Sequence, residues 1–232
     1  MTTVITGGSR GIGAATARRL VRDGHRVVIG YRQAEDEARL LEKELGVLAV
    51  RADTADEDDV ARLFDAAGED VTGVVNNAGV TSPVGPLAQL RTEDLRRVVD
   101  VNVVGAFFVA REAARRMTRG SIVNVSSGAA TLGSPGEYVH YAATKAAVDA
   151  LTIGLAKELA PSGIRVNCVQ PGTVRTDIHR LSGVPDRPDR VASRIPLGRP
   201  GEAGEIANAI AWLLSDEASY TTGAILRVAG GM

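Results

Sequence analysis

Apolar positions along this chain follow two patterns that alternate from one end to the other: short unbroken apolar runs, and longer segments with apolar residues three and four apart. Thr2 to Thr6 is β-rich and ends at Gly7-Gly8, which predicts a short buried strand; Ile12 to Asp23 then has helical periodicity and stops at Gly24. Arg26 to Tyr31 reads as a second strand, Ala34 to Leu45, closed by Gly46, as an amphipathic helix, and Leu48 to Arg51 as a third strand. Asp56 to Ala67, with acids in its first turn, is helical, and Gly73 to Asn76 is a fourth strand. The loop after it carries Pro83 and Pro86 and is expected to hold no helix.

A long helical stretch runs from Thr92 to about Met117, and Ser121 to Ser126 is a fifth strand, followed by a loop marked by Gly133, Pro135 and Gly136. The next helix extends from about Tyr138 to Ala160, with Pro161 helping to end it. Its face of Ala142, Ala143, Ala146, Ala147, Ala150, Ile153 and Gly154 is small and apolar, and allows close packing against another helix. Arg165 to Val169 and Ala224 to Val228 are the sixth and seventh strands, with a helix from Glu202 to Leu214 between them. Thr176 to Gly201, rich in Pro, Arg, Gly and Asp, has neither period and is expected to be an irregular insert, either a functional lid or a disordered loop. Strands alternating with helices predict an α/β fold, a parallel seven-stranded sheet covered on both faces, with ligands at the carboxyl ends of the strands. No composition break divides the chain, so residues 1–232 read as a single domain.

Composition narrows the partners. A net charge of −1 with no basic stripe argues against a nucleic-acid surface and leaves a small molecule or a second copy of the chain. Cys168 is the only cysteine, which excludes an intramolecular disulfide and any multi-cysteine metal site; within Arg165-Val-Asn-Cys-Val169 it reads as a buried structural thiol. His25, His140 and His179 are scattered, so solvated or locally bonded rings are expected and no metal. The N-terminus lacks a charged region followed by a long apolar one, and no apolar run has membrane-spanning length; a cytoplasmic protein without a membrane partner is expected.

Chemistry concentrates in a few stretches. In Tyr141-Ala-Ala-Thr-Lys145 a phenol and an ammonium four apart share a helix face, where the positive charge would favour the phenolate and make Tyr141 a general acid or base. Thr6-Gly-Gly-Ser-Arg-Gly-Ile-Gly13 joins the first strand to the first helix, a place where backbone N–H groups can approach a pyrophosphate at a helix N-terminus. The same turn is also a sound strand-to-helix connection without any ligand. Asn76-Asn-Ala-Gly79 either ends its strand in a simple turn or admits a flat adenosine, and Asp53-Thr54 either caps the next helix or touches the adenine ring.

These stretches, with Asn102 in Val-Asn-Val, the serines of Asn124-Val-Ser-Ser127, and Pro171-Gly172, resemble the short-chain dehydrogenase/reductase family over nearly the whole chain and in the family's order. The resemblance implies a Rossmann-like, doubly wound domain that moves hydride between a nicotinamide cofactor and a small carbonyl or secondary alcohol. It gives Tyr141 the proton, Lys145 the tasks of lowering the tyrosine's pKa and holding the nicotinamide ribose, Ser127 the substrate oxygen, and Asn102 a water that links Lys145 to solvent. The implied cofactor contacts are Gly7, Ser9, Arg10, Gly11, Ile12 and Gly13 of the first turn, Tyr31, Arg32, Asp53 and Thr54, Asn77, Ala78 and Gly79, Tyr141 and Lys145, and Pro171, Gly172, Val174 and Thr176. The insert to about Gly201 would be the substrate lid, with Ile178, Leu181, Val184 and Ile195 as apolar contacts. From Ser127 to Tyr141 the chain is one residue longer than the commonest family spacing, through Glu137-Tyr-Val-His140; of the pair Ser126 and Ser127, the second is assigned to the site. The second strand ends Ile29-Gly30-Tyr31-Arg32 with no acid, so Arg32 and Arg10 are expected to hold the 2′-phosphate of NADP(H) in preference to NAD(H). A homotetramer is also implied. Two other readings stay open: a reductase of carrier-bound 3-ketoacyl chains, and a catalytically idle dinucleotide-binding protein that senses redox state or holds a partner.

Overall fold

A computed structural model describes all of residues 1–232. Its strands are β1 (Thr2–Thr6), β2 (Arg26–Tyr31), β3 (Leu48–Arg51), β4 (Val71–Asn76), β5 (Gly120–Val125), β6 (Ile164–Pro171), β7 (Val174–Arg175), β8 (Gly201–Glu202) and β9 (Ile225–Val228). Seven form one parallel sheet in the order β3-β2-β1-β4-β5-β6-β9, and β7 pairs with β8 outside it. The order reverses direction between β1 and β4, so the connections leaving their carboxyl ends diverge and open a crevice there.

Both faces of the sheet are covered, and this is why its strands are apolar without alternation. Neighbouring residues of a strand point to opposite faces: Ile5, Ile29, Val75 and Val123 pack with Leu20 and Ile206, whereas Val4, Val28, Val74 and Ile122 pack with Leu63, Phe64 and Val109. The first layer consists of α1 (Gly11–Arg22), α2 (Glu35–Leu45) and a late helix, Ala203–Leu214; the second holds α3 (Glu57–Ala67), a helix at Gly105–Arg116 and the helix Val139–Leu159. Each fully buried aliphatic side chain contributes roughly 1.5–3 kcal/mol.

The long helical stretch after β4 is one run with a change of pitch: α4 (Thr92–Val99), a π turn over Asp100–Val104, and α5 (Gly105–Arg116). Periodicity alone cannot show that turn, because one added residue shifts the apolar phase without interrupting it. Short α6 (Ala129–Leu132) follows β5, then α7 (Val139–Leu159). The insert expected to be irregular is instead built of α8 (Ile178–Leu181), α9 (Arg187–Val191) and a 3₁₀ turn, and its ends are clamped by β7 and β8 before α10 (Ala203–Leu214). Helices of four or five residues leave too short a pattern to read. Beyond Pro86, where no helix was expected, Leu87–Gln89 forms a single 3₁₀ turn.

Local chemistry sets several ends. The Asp56 carboxylate accepts from the Asp59 N–H at 3.0 Å and starts α3; Glu202 and Glu205 form a capping box at the start of α10. On α7 the inward face is Tyr141, Thr144, Lys145, Val148, Thr152 and Ala156, so most of its small-residue face, including Ala143, Ala146, Ala150, Ile153 and Gly154, looks outward.

Candidate active site

A cleft of about 520 Å³ opens at the carboxyl ends of the sheet strands. One part is the turn between β1 and α1, where Gly7, Ser9, Arg10, Gly11 and Ile12 line the wall. Gly13 lies behind them: a Cβ there would stand 2.2 Å from the Gly7 carbonyl oxygen, so only glycine lets α1 start this close to the turn. Asn77 straps the turn to β4, its Nδ2 donating to the carbonyls of Thr6 (2.9 Å) and Gly7 (3.1 Å), while the Thr6 hydroxyl accepts from the N–H groups of Asn77 and Ala78. Thr176 comes over the same turn, with its Cγ2 3.4 Å from where a Gly11 Cβ would sit.

Tyr31, Arg32, Asp53 and Thr54 also line the cleft. Arg32 is not free, because its Nε stands 3.1 Å from Asp53 Oδ2; Asp53 Oδ1 accepts from the Ala55 N–H at 3.1 Å. Arg10, which precedes α1 in extended conformation, makes no side-chain cap bond.

At the other end the tyrosine and lysine of α7 meet the end of β5. The buried Lys145 ammonium donates to the Val125 carbonyl at 2.9 Å, and a Cβ on Gly79 would lie 3.1 Å from it, so that glycine is the floor on which the lysine rests. Burial pushes the Lys145 pKa down to about 8, against the opposing influence of Cys168 and Asp149. Burial pushes Tyr141 up, opposed by a hydrogen bond with Ser127 and by the Arg187 charge. The helical spacing suggested that Lys145 would lower the tyrosine; here Nζ lies 5.8 Å from the Tyr141 ring centroid and is turned to Val125, and burial is the largest influence on the phenol.

The serines divide their work. Ser126 donates its hydroxyl to the Lys145 carbonyl at 2.9 Å, which leaves Ser127, whose Oγ accepts from the Ala129 N–H at 3.1 Å, as the serine that shares the cleft wall with Tyr141 and acts on its phenol. Asn102 sits in the π turn, buried and outside the cleft lining. Its Nδ2 donates to the Val80 carbonyl (2.9 Å) and Thr144 Oγ1 (3.1 Å), and its Oδ1 accepts from the Val80 N–H (2.8 Å). Both amide protons are used, so the side chain ties the β4 loop to the residue preceding Lys145 rather than reaching into the cleft.

Pro171 at the end of β6, then Gly172, Val174 and Thr176, run along the cleft, as do Ile178 and Leu181 of α8; Ile195 is buried elsewhere, and Val184 is off the lining. The sequence reading missed Tyr138, Thr173, His179 and Arg187, all lining residues. The extra residue ahead of Tyr141 was the one available signal for Tyr138. Each histidine has a single partner: His25 bonds Thr3 and His140 bonds Ser82, both from distant parts of the chain, and His179 bonds the nearby Val174 carbonyl. Cys168 is buried, its thiol pushed up to about 12 by burial.

The lining fits a dinucleotide on structural grounds: a glycine cradle that a Cβ would close, an unpaired guanidinium beside it, and a proton-carrying pair at the far end. Comparison with known proteins agrees. Residues 7–232 match the family model described as enoyl-(acyl carrier protein) reductase. The chain is 47% identical over 242 residues, 98% of each protein, to the uncharacterized oxidoreductase YgfF of Escherichia coli (strain K12). A short chain dehydrogenase from Burkholderia cenocepacia, solved with NADP, superposes with a TM-score of 0.91 at 34% identity, over 99% of this chain and 96% of that one. A 3-ketoacyl-(acyl-carrier-protein) reductase from Brucella melitensis, solved with NADH, gives 0.93 at 33% identity, over 99% and 97%. This chain therefore belongs to the short-chain dehydrogenase/reductase family and is an oxidoreductase that uses a nicotinamide cofactor.

Proposed function

We propose that the protein reduces a small carbonyl compound with NADPH, and that Tyr141, Ser127 and Lys145 carry the reaction. The bound nicotinamide would supply the hydride to the carbonyl carbon. Tyr141 gives its proton to the carbonyl oxygen, and Ser127 donates a hydrogen bond to the same oxygen as negative charge develops. Burial, by raising the Tyr141 pKa, keeps the phenol protonated near neutral pH, the form a donor needs. Lys145, largely protonated below its pKa of about 8, favours the phenolate left behind and would hold the nicotinamide ribose. Asn102 acts as a positioning residue, fixing the loop at Val80 against the catalytic helix. The segment Thr176 to Gly201 serves as the lid, because Thr176, Ile178, Leu181 and Arg187 border the cleft.

Arg10, with Arg32 beside it, would receive the 2′-phosphate; the absence of an acid at the end of β2 supports NADP(H) over NAD(H). The observation that carries the whole reading is that Ser127, Tyr141 and Lys145 line one end of a cleft whose other end is the glycine turn. Exposed Phe107 and Ile153, with Ala143, Ala146 and Ala150 beside Ile153 on α7, support a homotetramer. A lone buried thiol suits the cytoplasm. The likeness to a 3-ketoacyl reductase favours carrier-bound chains as a second reading. A panel of ketones, aldehydes and 3-oxoacyl thioesters, assayed by nicotinamide absorbance with NADPH and NADH, tests both. Turnover confined to thioesters overturns the small-carbonyl reading, and no turnover of any carbonyl overturns hydride transfer.

A further inference from the structure

The extra residue before Tyr141 has a partner fifty residues away in sequence. Arg187, the first residue of α9, reaches back to the turn that leads into α7: its Nη2 donates to Glu137 Oε2 at 2.7 Å, and its Nη1 stands 3.4 Å from Thr173 Oγ1. Its guanidinium lies 5.3 Å from the Tyr138 ring centroid, and that ring meets Tyr141 edge to face at 5.4 Å. One aromatic ring therefore separates the guanidinium from the phenol that carries the proton.

Arg187 and Tyr138 line the cleft and Glu137 does not. The carboxylate holds the guanidinium from behind, and the cation is the group presented to a ligand. A guanidinium has five N–H donors, and here a single one makes a short bond. Nε is buried with no partner at all. An unmet donor on a buried cation is unfavourable, and the Nη hydrogens not taken by Glu137 are the ones that a ligand oxygen in the cleft can meet. The charge is also felt at the reacting centre, since Arg187 opposes the burial that raises Tyr141.

We propose that Arg187 anchors the substrate, and that the substrate is an oxo acid, or the matching hydroxy acid in the reverse direction, whose carboxylate pairs with the Arg187 guanidinium while its carbonyl oxygen lies between Tyr141 and Ser127. The inference rests on the hydride-transfer reading of the cleft. A neutral hydroxyl would use one of the Nη hydrogens that Glu137 leaves free, whereas a carboxylate can take two donors along the planar fork. Glu137 balances the cation when no acid is bound and fixes its plane against Tyr138. Leu132, Ile178 and Leu181 supply apolar lining for the carbon chain.

The test uses the wild-type enzyme with a homologous series of oxo acids, each beside its methyl ester, and a plain ketone. At the best chain length kcat/KM for the acid should exceed that for the ester by about ten- to a hundredfold, mainly through KM. Arg187→Met should bring the acid-to-ester ratio close to one, and Arg187→Lys should recover part of it. A merely structural role would lower acid and ester together and leave the ratio standing. Equal use of acid and ester by the wild type, or a ratio that survives Arg187→Met in a variant with unchanged melting temperature, overturns the proposal. If the wild type reduces neutral ketones with no preference for acids, this inference alone fails; if it reduces no carbonyl with either cofactor, the hydride-transfer reading fails.

Discussion

Replacing Lys145 by methionine should stabilise the fold while abolishing turnover. The ammonium is buried at the end of β5, and its pKa stands at about 8 against an ordinary lysine value of 10.5. At 1.36 kcal/mol per pKa unit, keeping the charge costs the folded state on the order of 3 kcal/mol near neutral pH. Below about pH 8 both folded and unfolded chains carry the proton, and the cost is full and constant. Between about pH 8 and 10.5 the unfolded chain binds more protons than the folded one, so wild-type stability climbs with pH. Methionine has a similar length and no charge, and losing the bond to the Val125 carbonyl returns about 1 kcal/mol. The expected net gain is about 2 kcal/mol near pH 7, shrinking as pH approaches 10.5. Urea unfolding of both proteins, followed by circular dichroism at one fixed chain concentration and several pH values, measures it. A methionine variant less stable near neutral pH, or a stability gap that does not change with pH, would show that Asp149 and Cys168 outweigh burial at this lysine.

Tyr141→Phe should keep cofactor affinity, measured by nicotinamide fluorescence, and lose turnover by about a hundred- to ten-thousandfold, because the ring packs as before while the proton is gone. Arg10→Ala with Arg32→Ala should raise KM for NADPH strongly and leave KM for NADH nearly unchanged; a wild type with the higher kcat/KM on NADH would refute the phosphate site. Of the two single variants Arg10→Ala should do more, since Arg32 is already shared with Asp53 at 3.1 Å. Light scattering at micromolar concentration should give four chain masses, and Phe107→Glu, which sets a charge on the half-exposed ring position, should give fewer.

The fold was legible because its signals are local. Apolar runs such as Val27 to Ile29 lie in strands buried on both faces, so strand and periodicity could be read together, and some helix ends carried their own signal, as at Gly46 after α2 and Asp56 before α3. The glycine turn and the Tyr141–Lys145 pair were legible for the same reason, being short motifs in fixed local context. What stayed hidden was set by burial and by distant partners. Spacing placed Lys145 on the face of Tyr141, but whether the ammonium bonds the phenol or the Val125 carbonyl depends on where β5 ends. Asn102 stood out as a residue, yet the π turn that aims it at Val80 and Thr144 leaves no trace in apolar period.

The Glu137–Arg187 pair marks the limit most clearly. Glu137 appeared in the sequence as surplus length before Tyr141, and Arg187 as one more arginine in a stretch with no period. Neither is informative alone, because either residue in solvent would be an ordinary surface charge worth little. The β7–β8 clamp closes the segment between them into a compact flap and brings the guanidinium onto the Tyr138 ring. Chemistry of that kind, a cation presented to a cleft by a carboxylate behind it, is created by the closure itself. If Arg187 anchors the substrate as proposed, substrate choice rests on the pairing of the Glu137 and Arg187 segments and the reaction on the short motifs, so exchanging either segment alone should alter the substrate while leaving Tyr141, Ser127 and Lys145 able to act.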